Sequence, residues 1–141
     1  MTEAVPEVVA AAGPAVTVVD DPAALAAIVA RLRRAPLVAL DTETSSLEPH
    51  DAELIGLSFA TEPNAAWYLP FGHRPRGGEL AAPAPVTNLP ALTDPACAAI
   101  VAVLTDPAVR KAGHNIKYDW QVLRRAGVEP AGVAYDSMLA S

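Results

Sequence analysis

Cysteine is almost missing from this sequence. Cys97 is the only one in 141 residues, so no disulfide can form within the chain, and a reducing, cytoplasmic setting is expected. No apolar run reaches the 18 residues that a membrane span needs. The start, MTEAVPEVVAAAGPAV, lacks the basic and then apolar order of a secretory signal. Internal repeats are absent. Basic residues are also scarce: 10 Lys and Arg face 16 Asp and Glu, a formal charge of −6. A protein that grips nucleic acid by bulk electrostatics normally shows a basic face. Clustered carboxylates that bind a divalent metal also make a domain acidic, however, so a nuclease stays within bounds.

What is present is apolar. The hydrophobic fraction is 52% and the charged fraction 18%, which excludes a low-hydrophobicity disordered chain. A chain of this length makes one ordinary domain with a real core. Residues 1–14 have no clear period and read as a linker or loose terminus. Ala15–Val19 reads as a strand. Asp21-Pro22 is a helix start, with Asp21 as cap and Pro22 in the first turn. Leu25, Ile28, Val29 and Leu32 then share a helical face. Leu37–Asp41 (LVALD) is a continuous apolar run of strand length, expected to be central and covered on both faces. Glu53–Ala60 and Ala65–Pro70 are two further strands joined at Pro63-Asn64, giving an antiparallel meander.

Residues 72–90 are a Gly/Pro-rich loop containing His73, Arg74 and Arg76. Asp94-Pro95 repeats the helix start, with Cys97, Ile100, Val101 and Leu104 apolar. Val109–Ala112 is a short strand candidate. Asn115–Arg125 is helical, with Ile116, Trp120 and Leu123 inward and Gly127 beyond its end. Val128–Tyr135 reads as a connection, and Asp136 as the cap of a helix that follows it. The order is α/β with a mixed sheet.

The chemistry centres on Asp41-Thr42-Glu43-Thr44. Residues i and i+2 of a strand share a face, so Asp41 and Glu43 sit side by side at the end of LVALD. Two carboxylates this close repel unless a cation or proton intervenes, and hard divalent ions take carboxylate oxygens. DxE alone also fits a plain turn with a solvated Glu. Asn115 and Asp119 share one helical face beside the apolar stripe. Asp119 could complete a metal site with the first pair, or could simply suit the helix dipole. Trp67 and Tyr68 read as core and sheet face, and His114 as structural.

Three blocks in order, LVALDTETSSLEPHDAELIGLSFATEPNAAWYLPFGH, KAGHNIKYDWQVLRRAGVE and AYDSMLAS, resemble the 3′–5′ exonuclease (proofreading) domain of bacterial DNA polymerase I. That domain is DnaQ-like, with the ribonuclease H-like fold. The likeness runs from about Ala15 to Ser141. It implies a mixed sheet, an antiparallel three-stranded meander plus parallel strands, flanked by helices and incomplete at the C-terminus. It also implies metal ligation by Asp41, Glu43 and Asp119, with two Mg²⁺ or Mn²⁺ ions in the complete site. Asn115 and Thr42 would contact the substrate strand, and Leu47 would wedge at the terminal base. Asp136 is read as structural. The implied partners are a single-stranded or frayed 3′ end of DNA and the polymerase domain of the same parent chain, with no membrane.

The family's third motif, Tyr-x-x-x-Asp, is not in these 141 residues. Tyr118 and Tyr135 each directly precede an Asp and do not replace it. The chain is therefore expected to be a fragment that turns over weakly by itself. A different class remains as an alternative: a degenerate, non-hydrolytic scaffold domain within a DNA polymerase. The retained acids count against that reading. A related 3′–5′ ribonuclease is a third, and the AELIGLSFA and YDSML blocks favour the polymerase.

Overall fold

The computed structural model describes residues 15–46, 48, 51–63, 65–73 and 87–136. Residues 1–14, read as a linker, lie outside these, as do Leu47, Arg74 and Arg76. The elements run β1 (Val16–Val18), α1 (Leu25–Arg34), β2 (Val38–Thr44), β3 (Leu54–Glu62), β4 (Ala65–Pro70), α2 (Ala98–Thr105), β5 (Lys111–Gly113), α3 (Ile116–Arg125) and β6 (Val133–Asp136). One six-stranded sheet forms, in the order β1-β4-β3-β2-β5-β6. β2, β3 and β4 are the antiparallel meander, while β1–β4, β2–β5 and β5–β6 pair parallel. The mixed sheet expected from sequence is thus present.

Both Asp-Pro starts work as read. Asp21 accepts from the Ala23 amide at 3.0 Å and Asp94 from the Ala96 amide at 2.9 Å. Each opens a short 3₁₀ turn that leads into a helix, α1 or α2. Leu25, Ile28 and Leu32 of α1 pack with Ile100, Val103 and Leu104 of α2 in the core. Burying each such side chain contributes about 1.5–3 kcal/mol.

The register decides which side of the sheet the core takes. Leu40 lies opposite Phe59, which lies opposite Trp67; Thr42 lies opposite Leu57, which lies opposite Leu69. Directly paired residues share a face, so these make one apolar face, and the helices gather on it. The other face carries Ala39, Asp41 and Glu43 of β2, Gly56, Ser58 and Ala60 of β3, and Ala66 and Tyr68 of β4.

Two expectations need correction. The run LVALD is central but not covered on both sides among the described residues: Val38 and Leu40 are buried while Ala39 and Asp41 are exposed. Small Ala39 had hidden an ordinary two-sided alternation. β2 also runs on past Asp41 to Thr44, so the strand is longer than LVALD and the acid pair stands side by side at its C-terminal end, as read. The second correction is at Val128–Tyr135, where part of the connection is β6, joined to β5 from Lys111↔Val133 to Gly113↔Asp136. Its exposed Val133 and Ala134 give no period to read. Asp136 does cap a helix, but an earlier one: its Oδ2 accepts the Ile116 amide of α3 at 3.3 Å. Residues 137–141, where the following helix was expected, are outside the described part.

A candidate active site on β2 and α3

β2 presents its acids by strand alternation alone. Asp41 and Glu43 point to the helix-free face and are exposed. Thr42 and Thr44 point the other way, onto α3. The Thr42 hydroxyl donates to Asp119 Oδ1 at 2.5 Å, and its amide approaches the same oxygen at 3.3 Å. Thr44 Oγ1 and the Tyr118 hydroxyl are 2.7 Å apart, and Tyr118 also donates to the Ser46 carbonyl at 2.6 Å. Successive α3 residues therefore lock onto alternate threonines of β2. The turn of α3 carrying Asp119 is set against the strand that carries the acid pair.

Asp119 is only 2% exposed. Its Oδ2 is buried and has no hydrogen-bond partner. Burial first of all, with Asp41 and Asp136 as neighbouring negative charges, pushes its carboxyl up to about 6; the Thr42 hydroxyl acts in the opposite direction. Asp41, exposed as a residue but with its carboxyl partly shielded from water, is also raised, mainly by that desolvation and in part by Glu43, while the Thr42 amide and His114 lower it. Asp41 is thus the shared member, sensing Glu43 on one side and being sensed by Asp119 on the other. A carboxylate kept in a dry site beside another negative charge, with one oxygen unsatisfied, is the arrangement a cation would relieve. Oxygen-only donors suit hard divalent ions. The residues present therefore fit Mg²⁺ or Mn²⁺, although among the described residues no three His, Cys, Asp or Glu stand close enough together to hold an ion by themselves. Gly113 leaves the way open: a Cβ there would meet Ile116 and the Leu40 carbonyl and come within 3.6 Å of Asp119 Oδ2.

Asn115 stands half-buried at the N-terminal end of α3, and its side chain makes no capping bond. Its carbonyl accepts the Asp119 amide at 3.1 Å, which leaves only the side chain without a helix role. Leu47 falls outside the described residues. His114 is exposed and acts on Asp41 through charge. Lys117 is exposed, and Arg124 is held by Glu129 at 2.9 Å. Trp67 is core as expected, with Arg31 4.9 Å over its ring.

Tyr68 goes beyond its reading as sheet face. Its hydroxyl donates to Glu43 Oε1 and lies 2.6 Å from His73 Nε2. Register holds the clue. The β3–β4 register sets Tyr68 opposite Ser58, and Ser58 is opposite Asp41.

A family model described as 3′–5′ exonuclease, of the DNA polymerase A type, matches residues 16–141. The chain belongs to this family. DNA polymerase I of Chloroflexus aurantiacus is 38% identical over 132 residues, covering 91% of this chain and 12% of that protein. DNA polymerase I of Pseudomonas aeruginosa is 37% identical over 126 residues, covering 88% and 13%. The chain thus spans about one-eighth of the length of these curated relatives.

Solved structures share the fold of this exonuclease domain. The polymerase domain of Pol1 from M. smegmatis, in complex with DNA primer-template and dNTP, has a TM-score of 0.64 at 21% identity, covering 87% of this chain and 18% of that one. Escherichia coli RNase D, an exoribonuclease, has 0.61 at 21% identity, covering 89% and 28%. Brucella melitensis NrnC with bound Mg²⁺ has 0.52 at 21% identity, covering 85% and 47%.

Proposed function

We propose that this exonuclease domain hydrolyses the 3′-terminal phosphodiester of DNA and releases nucleoside 5′-monophosphates. It would do so as the proofreading part of a DNA polymerase I polypeptide. One observation carries the reading: the Asp119 carboxylate, held by Thr42 through Oδ1 and left with a buried, unpartnered Oδ2, beside Asp41. A merely structural Asp at the start of a helix would be solvated or capped. The same observation weighs against a non-hydrolytic scaffold, which has no need of an unsatisfied buried acid.

Asp41, Glu43 and Asp119 are the proposed ligands for Mg²⁺ or Mn²⁺. When bound, such ions supply positive charge at the phosphate and make a water acidic enough to attack near neutral pH. The chain's own part is geometric. Strand β2 holds Asp41 and Glu43 on an open face where a 3′ end can approach. Thr42 fixes the Asp119 carboxylate from beneath. Asn115, whose side chain is not used in capping its helix, and Leu47 are proposed to contact the terminal nucleotides, while Thr42 is turned away from them onto Asp119. With a net charge of −6, this piece offers little electrostatic grip, so wedging and stacking on a frayed end carry more of the binding. A Tyr-x-x-x-Asp segment supplied by the parent polypeptide would complete the carboxylate set, and the 141-residue chain by itself is expected to turn over weakly.

The test uses 5′-labelled single strands, DNA and RNA of one sequence, and a polypeptide carrying this domain together with that segment. Stepwise shortening of DNA from the 3′ end that stops with EDTA is expected. Preference for the RNA strand would favour the ribonuclease reading, and an intact DNA strand would favour the scaffold.

A further inference from the structure

Glu43 is exposed at a sheet face, where a carboxylate would ordinarily swing freely among rotamers. Here it does not stand alone. Tyr68 reaches from β4 across the intervening β3 and donates its hydroxyl to Glu43 Oε1. The strand it crosses has a glycine at the crossing point. Gly56 lies between Glu43 on β2 and Pro70 on β4, and a Cβ on Gly56 would overlap the Tyr68 phenol oxygen and its ring. Glycine inside a strand weakens it, and one use is to let another group approach closely.

Behind the phenol stands His73. Its Nε2 is 2.6 Å from the Tyr68 oxygen, and the two rings meet edge to face with centroids 5.6 Å apart. His73 in turn is pinned by its backbone. The Asn88 side chain accepts the His73 amide at 3.0 Å and donates to the His73 carbonyl at 2.8 Å. Both faces of the Asn88 amide are spent on this one residue. Asn88, His73 and Tyr68 thus form one chain of hydrogen bonds that ends on a single Glu43 oxygen.

We propose that Tyr68, admitted by Gly56 and backed by His73 and Asn88, is the positioning residue for Glu43. It occupies Oε1 and leaves Oε2 as the oxygen that serves the site. This rests on the reading of Glu43 as a site carboxylate. Partners that orient a ligating carboxylate typically change metal affinity or activity by about 10–100-fold when removed.

The test is Mn²⁺ titration of the 141-residue chain, followed by electron paramagnetic resonance, with circular dichroism as the check on folding. Tyr68→Phe, which keeps the ring, and Gly56→Ala, which displaces it, should each raise the Mn²⁺ dissociation constant by about 10-fold or more. In a Glu43→Gln background, Tyr68→Phe should cause no further loss. A Tyr68→Phe value within about twofold of wild type, or the same weakening with and without Glu43, would overturn the proposal; should Gly56→Ala not fold, Tyr68→Phe decides alone. Failure of the site reading looks different: Asp41→Ala and Glu43→Gln would then bind Mn²⁺ as wild type does.

Discussion

Asp119 concentrates the conflict between stability and function at a single residue. It is buried, next to Asp41 and Asp136, with one oxygen lacking any partner. A fold selected for stability alone would not keep a charge there. Asp119→Asn keeps the acceptor for Thr42 and removes the charge. We expect it to raise stability at pH 7 by about 1 kcal/mol, less than the carboxylate's pKa shift implies, because the new amide N–H₂ lacks a partner. The same change should abolish nuclease activity. Urea unfolding of both proteins checks this, and an unchanged or lower midpoint in the variant contradicts it. The strand period put Asp41 and Glu43 on one face in the sequence, but the helix period alone left Asp119 equally suited to the helix dipole, and only the family resemblance grouped the three. Tyr68 was not legible, because its role depends on a diagonal reach across β3. Only the register and the missing Cβ of Gly56 allow that reach.

The elements show the same division between local and distant information. Helices α1 and α2 were readable because each carries its own signal, an Asp-Pro start and an apolar stripe. β6 carries none: four residues with an exposed Val133 become a strand only because β5 offers an edge. Its reward is at its end, where Asp136 caps α3 from outside the helix. Asp136→Ala should cost about 1 kcal/mol, as loss of a helix cap does. Asp136→Asn should cost less, since it keeps an acceptor and removes a negative charge from the neighbourhood of Asp119. Thermal unfolding ranks the three proteins, and an Asn variant as unstable as the Ala variant would contradict the capping role.

Across the whole molecule, pH should act through Lys111, which is fully buried in β5. Its ammonium donates to the Asp106 carbonyl at 2.9 Å. Burial lowers its pKa to about 8 from 10.5; Asp106 opposes the shift and Arg33 adds to it. Below about pH 8 both folded and unfolded chains carry the proton, and the folded state bears the full cost of the buried charge. Between about 8 and 10.5 the unfolded chain binds more protons than the folded one, so stability rises with pH. Wild type should therefore gain on Lys111→Met as pH is raised from 7 to 10. Melting curves of the two that stay parallel over that range would exclude it.

At the same scale, all the described helices lie on one side of the sheet. Asp41 and Glu43 look out from the other. The most direct test of the account is the rate of mononucleotide release from the 3′ end of single-stranded DNA, measured with Mg²⁺ in a polypeptide that carries this domain and the completing Tyr-x-x-x-Asp segment. Wild type should release nucleoside 5′-monophosphates stepwise, and Asp41→Ala should be slower by more than about 100-fold with its fold intact. An Asp41→Ala protein that shortens DNA at the wild-type rate would contradict the account.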